Sequence, residues 1–425
     1  MNQILVDGVL YVLDTEAYVI TENTDATVIN VPMDSYNAYL ELNPNLPLVP
    51  YNYNVIKANR EAFWDYVDKV VTSETNAPLM AVLYAKGLAA NANYMTLAEA
   101  KAVTNEQLNG LLNANKTVQT FNEFQYFTNV TKICTSDDSE ASKTLSPFKG
   151  CTSLKEITLP KSVKEFGARA FDQTKNLLKL NGLEQVHNFG LCALQGTFGS
   201  ASTQNYDTII VNKLTGGNMF NNVFKSTNGY GIKQLEINNG VEEIGVSAFY
   251  KLYKLERIKL PGSLKTIGGL ASNQGNSFTG CLNLKRLNSD VDGVMNIPNN
   301  VTQIGWQAFY CAGSTDLTGN NHIKEINIPD SVTTIGNAAF GGFYNCERIN
   351  IGSGITTLDS KCFTTIGRDS EKLVITITAT TPPSITADTF IEMNSNAEIF
   401  VPAESVEAYK TATNWSTYAS KIKPL

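Results

Sequence analysis

The sequence predicts a repeat solenoid of short parallel β-strands, wound as a right-handed coil and preceded by a smaller α+β region. Three observations support this prediction. A short pattern recurs along the C-terminal two-thirds, apolar residues keep fixed distances from a phenylalanine in each copy, and the composition changes near residue 130. A period of about 20 to 50 residues indicates stacked structural units rather than separate globular domains.

The clearest copy of the pattern covers residues 323–340, IKEINIPDSVTTIGNAAF. Ile326 and Ile328 alternate with polar residues, as in a half-buried strand, and Pro329 ends that strand. The same frame reads LKEITLPKSVKEFGARAF from residue 154 and IKQLEINNGVEEIGVSAF from residue 232. One such unit is too small to bury its own apolar residues. We therefore expect parallel copies to stack about 4.8 Å apart.

Spacing within the copies is constant. One apolar residue lies eight positions before the phenylalanine in five copies, namely Val163/Phe171, Val241/Phe249, Val301/Phe309, Val332/Phe340 and Ile355/Phe363. A second lies five positions before the phenylalanine, at Phe166, Ile244, Ile304, Ile335, Leu358 and Ile385. These phenylalanines are predicted to point inward. Long gaps rich in Asn, Gly and Ser, such as GGLASNQGNS, are predicted to be outward loops.

Two small residue types recur beside these positions. Glycine follows the second strand at Gly167, Gly245, Gly305 and Gly336, where we expect a bend that requires positive φ. Alanine precedes the phenylalanine at Ala170, Ala248, Ala308 and Ala339, where a larger side chain would collide with the next coil. The pattern is weak over residues 179–231, where only the stretch from Leu183 to Phe198 resembles a copy.

The composition predicts a domain boundary near residue 130. Residues 1–130 hold 14 Asp plus Glu and 6 Lys plus Arg, whereas the remainder holds 26 and 27. Only 3 of the 30 glycines and none of the 7 cysteines precede residue 131. We predict a β segment over residues 1–50, a helical segment over residues 51–130, and a solenoid over residues 131–425 with a C-terminal cap from about residue 400.

Local signals assign elements to the N-terminal region. Two apolar runs around Asp7 and Gly8 predict a β-hairpin. An apolar stripe at helical spacing predicts a helix through Phe63, Trp64, Val67, Val70 and Val71. Thr96 and Glu99 form a predicted capping box. The aromatic residues Phe121, Phe124, Tyr126 and Phe127 are predicted to pack in the core rather than to form a binding platform.

A nine-residue motif, V-P-x-x-S-x-x-A-Y, occurs at residues 31–39 and again at residues 401–409. Each copy is typical of a strand that ends at proline and is followed by a short helix. The hydroxyl groups of Ser35 and Ser405 are predicted to cap these helices by accepting from free backbone N–H groups.

Catalytic and cofactor chemistry is not predicted. The net charge of −7 argues against a nucleic-acid partner, and no apolar run reaches the length of a membrane span. Cys151, Cys281 and Cys346 occupy one repeat position, which favours core packing over redox or metal chemistry. The two histidines, His187 and His322, lack ligand-like neighbours, and no nucleophile, phosphate or metal motif is present. We predict no enzyme activity, no metal and no cofactor.

The pattern L-x-x-I-x-L-P-x-S-V-x-x-I-G-x-x-A-F, followed by Cys-x-x-Leu as in residues 151–154, resembles the BspA-type leucine-rich repeat over residues 130–400. The resemblance implies a secreted or lipid-anchored bacterial surface protein associated with adhesion. No export leader is visible in this chain, so we expect anchoring at the cell surface through a leader that the chain does not contain.

We predict an interaction module whose partner is an extracellular protein or glycan. Trp306 stands where other copies have alanine, valine or asparagine, and Tyr250 and Tyr310 stand where others have aspartate or glycine. Exposed Trp and Tyr are favoured binding anchors, although each of these residues could equally pack against an insertion. The alternatives are a structural spacer and a surface glycan-binding protein for nutrient capture.

Overall fold

The computed structural model describes residues 69–198, 202, 204–214, 231–311, 320 and 322–425, together with the backbone of four strands between residues 2 and 30. The predictions made for Ser35, Phe63, Trp64 and Val67 lie outside the described residues.

The chain begins with an antiparallel meander. Its strands are β1 (Asn2–Val6), β2 (Val9–Asp14), β3 (Val19–Glu22) and β4 (Asp25–Asn30). Val6 pairs with Val9 across a two-residue connection, which confirms the predicted hairpin. The four strands are hydrogen-bonded in sequence order.

A small α/β unit follows. Strands β5 (Lys69–Thr72) and β6 (Tyr94–Thr96) pair antiparallel and accompany the helices α1 (Ser73–Ala85), α2 (Leu97–Ala102) and α3 (Asn105–Leu108). The helical prediction was wrong for Val70 and Val71, which lie in β5 and are both fully buried. Consecutive buried β-branched residues suit a strand covered on both faces. The capping box was right, because the Thr96 backbone N–H donates to Glu99 Oε2 at 2.8 Å.

From residue 120 onward every strand pairs in parallel, on two faces of one coil. Face 1 contains β7 (Thr120–Phe121), β9 (Glu156–Thr158), β11 (Lys179–Asn181), β13 (Asn205–Val211), β15 (Gly231–Ile237), β17 (Arg257–Lys259), β19 (Arg286–Leu287), β20 (Val294–Asn296), β22 (Glu325–Ile328), β24 (Arg348–Ile351), β26 (Val374–Ile377), β28 (Glu398–Val401) and β29 (Ile422–Pro424).

Face 2 consists of two-residue strands that follow those of face 1 in the chain. It contains β8 (Lys132–Ile133), β10 (Glu165–Phe166), β12 (Asn188–Phe189), β14 (Lys213–Leu214), β16 (Glu243–Ile244), β18 (Thr266–Ile267), β21 (Gln303–Ile304), β23 (Thr334–Ile335), β25 (Thr357–Leu358) and β27 (Ser384–Ile385). The predicted solenoid of short parallel strands is therefore confirmed. Buried apolar side chains form one continuous core from Val70 to Ile422, whereas the domain boundary near residue 130 stays a prediction.

Stacked phenylalanine rings mark the turn where each coil passes from face 2 back to face 1, and we call this turn the corner. Neighbouring rings are nearly parallel, with centroids 5.2 to 5.7 Å apart, along the series Phe249, Phe278, Phe309, Phe340, Phe363 and Phe390. All six rings are buried, which confirms the inward prediction. Backbone hydrogen bonds also join successive coils at the corner, as on the two faces; for example, the N–H of Phe340 donates to the carbonyl of Cys362 at 2.8 Å.

Two members of the corner column were missed in the sequence. Phe278 belongs to the copy that starts at Leu264, but the insertion of residues 268–277 moves it away from the expected spacing. In the weak region, Leu194 takes the phenylalanine position, because the N–H of Phe171 donates to the carbonyl of Ala193 just before it. The described residues between 179 and 214 thus belong to two regular coils, each with one strand on face 1 and one on face 2. The first coil contains β11 and β12, and the second contains β13 and β14.

The long gap between Leu264 and Val301 was only partly a loop. Besides the insertion at residues 268–277, it contains β20, a further strand of face 1 that pairs with β19 through Leu287 and Met295. On face 2, β18 pairs directly with β21, so the added strand has no counterpart there.

The reason given for the recurrent glycines was wrong. Gly305 and Gly336 have ordinary negative φ, and the constraint is instead the close approach of adjacent coils. A Cβ on Gly305 would lie 2.5 Å from the carbonyl carbon of Gly268. Positive φ falls two residues before the phenylalanine, for example at Gln307 (49°) and Ala338 (53°). Ala170, Ala248, Ala308 and Ala339 are all fully buried, as expected.

A buried tyrosine hydroxyl and a buried tryptophan indole donate hydrogen bonds where the backbone pairing between coils is interrupted or ends. Among the described residues no strand pairing joins β11 to β13, and there the Tyr206 hydroxyl donates to the Leu180 carbonyl at 2.6 Å. Tyr206 is fully buried, so this bond satisfies an acceptor that water cannot reach.

The C-terminal cap contains a 3₁₀ turn (Ala403–Ser405), helix α4 (Val406–Thr411), a second 3₁₀ segment (Trp415–Lys421) and β29. The Trp415 indole donates to the carbonyl of Pro383 at 2.8 Å. Ser405 stands at the N-cap but makes no side-chain capping bond, so that prediction was wrong; Ser405 is itself buried. The free edge of β29 carries Pro424, which lacks a backbone donor.

Truncation of a corner ring should be costly. Phe340 lies between Phe309 and Phe363, with centroids 5.5 and 5.7 Å away. We expect Phe340→Ala to lower the free energy of unfolding by about 3 to 5 kcal/mol, because it leaves a cavity among packed rings. Urea unfolding followed by circular dichroism measures this, with Val291→Ala, which shortens an apolar side chain that is 65% exposed, as the control. An unchanged midpoint would contradict the inward stacking.

Loss of one hydroxyl should matter where the face 1 ladder is interrupted. Tyr206→Phe keeps the ring but leaves the buried Leu180 carbonyl without its donor. We expect a loss of about 1 to 3 kcal/mol in the free energy of unfolding. The comparison is Tyr84→Phe on the exposed surface of α1, which should have no effect. Equal stabilities of the Tyr206 variant and the parent chain would show that this bond contributes nothing.

Candidate functional site

The cysteines are buried components of the core. All seven are free thiols, and Cys151, Cys281 and Cys346 are at most 2% exposed, as their shared repeat position predicted. Burial raises the pKa of the Cys151 thiol to about 11 and that of Cys346 to about 12. A thiolate is needed for nucleophilic attack, so these groups are poor nucleophiles near neutral pH.

The histidines occupy unrelated environments. His187 is half-buried with its Nδ1 atom 3.3 Å from the Ile210 carbonyl, and His322 is exposed three residues before β22 begins. Across the described residues, no group of three His, Cys, Asp or Glu side chains is arranged to hold a metal ion. In that same part of the chain, no helix is long and apolar enough to cross a membrane.

One carboxyl group is buried without full hydrogen bonding. Glu123, in the 3₁₀ segment Asn122–Tyr126, is 9% exposed, and its Oε2 atom has no hydrogen-bond partner among the described residues. Burial raises the pKa of this carboxyl, although its backbone hydrogen bond and the Asn76 side chain favour the charged form. The neighbouring residues Phe121, Phe124 and Phe127 are fully buried, as predicted, and Tyr126 is partly buried against the same core.

Charged groups on face 1 pair with one another across neighbouring coils. Lys324 Nζ lies 2.9 Å from Glu347, and Arg348 lies 3.4 Å from Glu325. Lys372 and Lys423 both bind Glu398 and lower its pKa to about 2. In each of these pairs the opposite charges come from neighbouring coils and neutralise one another.

Asparagine amides on face 1 also bind one another. The Asn327 amide donates to the Asn296 side-chain oxygen at 2.8 Å, and the Asn350 amide donates to Asn327 at 2.6 Å. Face 2 shows a similar arrangement of hydroxyl groups, because Thr356 donates to the carbonyl of Thr333 at 3.0 Å. Much of the polar surface of both faces is thus engaged in coil-to-coil contacts.

The three aromatic residues singled out in the sequence lie at two different places. Tyr250 and Tyr310 each directly follow a corner phenylalanine and belong to one outward column, two coils apart. Trp306 precedes its phenylalanine by three residues and contacts the insertion of residues 268–277. Its backbone N–H donates to Gly269 at 2.8 Å, and its carbonyl accepts from Asn276 at 2.9 Å. All three side chains are partly exposed.

Tyr310 lies along the surface rather than projecting from it. A Cβ on Gly341, the next residue of the outward column, would be 2.8 Å from Cδ2 of Tyr310 and 2.7 Å from Cγ2 of Thr364. The ring therefore fills the space that a side chain at position 341 would take. By contrast, Tyr250 has the Lys251 ammonium group 5.0 Å from its ring centroid.

Tyr344 and Arg368, on the two coils that follow the coil of Tyr310, were not identified from the sequence. The Arg368 guanidinium lies 3.9 Å from the centroid of the Tyr344 ring, and its Nε and Nη2 atoms bind the Asp369 carboxylate at 2.8 and 3.2 Å. This pairing with Arg368 lowers the pKa of Asp369. Arg368 follows an irregular turn with no equivalent in the other copies, so the repeat gave no signal for it.

Comparison with protein families finds a match to the family described as BspA type Leucine rich repeat region. Six copies are recognised, and the matched segments are residues 107–201, 217–322, 274–381 and 318–413. No curated protein sequence matches the chain significantly.

Solved structures show weaker likeness. A leucine-rich repeat protein from Bacteroides ovatus is 21% identical, with 63% of this chain and 67% of that chain covered and a TM-score of 0.34. The pneumococcal vaccine antigen PcpA is 19% identical, with 70% of each chain covered and a TM-score of 0.36. A leucine rich cell surface protein from Faecalibacterium prausnitzii is 19% identical, with 64% and 78% covered and a TM-score of 0.26. Such scores carry no functional inference.

The buried Glu123 carboxyl should make stability depend on pH. Because its pKa is raised in the folded state, its stabilising contribution is complete below the ordinary value of 4.5 and is lost as the pH rises through the folded-state pKa. We expect Glu123→Gln to be more stable than the parent chain at pH 7 and to lose that advantage near pH 4. Urea unfolding of both proteins from pH 4 to 8 tests this. A constant difference between them would contradict the burial effect.

Proposed function

We propose, from the premise that this chain belongs to the BspA-type leucine-rich repeat family, that it is a non-catalytic adhesion module. Its partner is an extracellular protein of the host or of another bacterium, bound through the solenoid surface. A stacked array suits this role, because outward residues can differ from coil to coil while the inward pattern that holds the array together stays the same.

The observation that carries the proposal is the partial exposure of Trp306, Tyr250 and Tyr310 on a rigid backbone. Each has a corner phenylalanine within three positions, and those phenylalanines are stacked and buried. Aromatic residues held in this way lose little conformational entropy on binding and are enriched among the residues that dominate protein interfaces. The self-paired charges of face 1 offer less binding energy, because a partner would have to displace existing contacts.

The proposed location is the outside of the cell, with attachment to the cell surface through a lipid anchor. Family membership supports a surface protein. A non-catalytic role is supported by membership of a leucine-rich repeat family, whose fold is typically non-catalytic.

A spacer that carries another module away from the cell is the second candidate. Its support is the extensive pairing of polar groups along faces 1 and 2, which leaves those surfaces satisfied without a partner. The two candidates differ in one measurable respect, since a spacer binds no extracellular protein.

The test uses the full chain against immobilised fibronectin, laminin and collagen in biolayer interferometry. We expect saturable binding to at least one of them, weakened about tenfold or more by Trp306→Ala or Tyr250→Ala, as for aromatic anchors elsewhere. Thr356→Ala on face 2 and Tyr84→Ala on α1 are the controls and should bind as the parent chain does. Binding that survives both aromatic substitutions would overturn the assignment of these residues, and absence of binding would favour the spacer.

A further inference from the structure

A compact group of side chains spans three successive coils beside the corner. It comprises Tyr310 on the first coil, Gly341 and Tyr344 on the second, and Thr364, Arg368 and Asp369 on the third. We call this group the corner patch. Backbone hydrogen bonds fix its coils relative to one another, because the N–H of Cys311 donates to Gly341 at 2.8 Å and that of Asp369 donates to Tyr344 at 2.8 Å.

The aromatic part of the corner patch is built to keep a ring on the surface. Position 341 has no side chain, and the Tyr310 ring lies in the space that a Cβ there would enter. The Cδ2 and Cε2 atoms of Tyr310 are the part of the ring next to Gly341, 2.8 and 2.9 Å from that Cβ position, and the side chain as a whole stays partly exposed. The adjacent Tyr344 ring is held by the Arg368 guanidinium at 3.9 Å.

The polar part of the corner patch is fixed and electrically balanced. Arg368 holds Asp369 with two nitrogen atoms, and both residues are exposed. This pairing lowers the pKa of Asp369, so the carboxylate is charged near neutral pH. Thr364, whose Cγ2 atom would lie 2.7 Å from a Cβ on Gly341, adds a hydroxyl group to the patch. The two formal charges cancel, so the net charge of the patch favours a neutral ligand over an ion.

From this geometry we infer that the corner patch is a carbohydrate subsite that receives a neutral pyranose ring. One face of a pyranose presents C–H groups, which pack against an aromatic ring, while its edge presents hydroxyl groups that both donate and accept. Asp369 accepts from such hydroxyls, and Arg368 and Thr364 donate to them. Three coils span about 10 Å, which suits a short oligosaccharide.

The inference goes beyond the proposed protein adhesion and is tested separately. The full chain is applied to an array of neutral oligosaccharides, including β-glucan, xylan, mannan and galactan fragments, beside sulfated and sialylated sugars. We expect binding to at least one neutral sugar, with its affinity then measured by isothermal titration calorimetry. Tyr310→Ala should weaken this affinity at least tenfold, whereas Tyr310→Phe should retain it because the ring remains.

Gly341→Ala is the decisive variant. Gly341 has an ordinary negative φ, so alanine is compatible with the backbone, but the added methyl group must displace the Tyr310 ring. We expect the same loss of sugar affinity with an unchanged circular dichroism spectrum. Tyr84→Ala is the matched control for a remote exposed tyrosine and should bind normally. Silence on all neutral sugars, binding restricted to charged sugars, or full binding by Gly341→Ala and Tyr310→Ala would each overturn the inference, whatever the result with matrix proteins.

Discussion

The structure depends on one constraint, namely that no coil can bury its apolar residues except against the coils on either side. Parallel backbone pairing on face 1, on face 2 and at the corner sets the distance between coils. The corner rings then stack at 5.2 to 5.7 Å because the strands that carry them are about 4.8 Å apart. Departures from regularity, such as the insertion at residues 268–277, are accommodated outside this stack, and the partly exposed Trp306 contacts that insertion.

The sequence predicted the architecture well because spacing is a direct consequence of stacking. The fixed distance from Val332 to Phe340 indicated which side chains face inward, and both are buried. Spacing could not reveal a repeat position that is occupied by a different residue type or displaced by an insertion. Leu194 was overlooked because it is not a phenylalanine, and Phe278 because ten residues intervene after the strand. For the recurrent glycines, residue type alone could not distinguish close contact between neighbouring coils from a backbone with positive φ.

The candidate sites were less predictable for a physical reason. Tyr250, Tyr310 and Trp306 stood out because they break a repeating pattern, and the structure puts the first two in one column and the third against an insertion. Tyr344 and Arg368 come from different coils and meet only through folding, in a turn that has no repeat to compare with. A pattern within one chain therefore identifies unusual positions, whereas their grouping into a surface requires the three-dimensional arrangement.

The proline at the last strand of face 1 has a consequence for how molecules of this protein meet. A stack of parallel strands is a template for further strands, and an unprotected end would recruit identical neighbours into fibrils. The backbone N–H groups of successive residues in a strand point to opposite sides. In β29 the N–H of Leu425 donates to the Val401 carbonyl in β28, so the backbone nitrogen of Pro424 lies on the outer side of β29, where it offers no donor. A further parallel strand at this edge would lack one of its backbone hydrogen bonds, so β29 is a poor template for pairing with a second molecule.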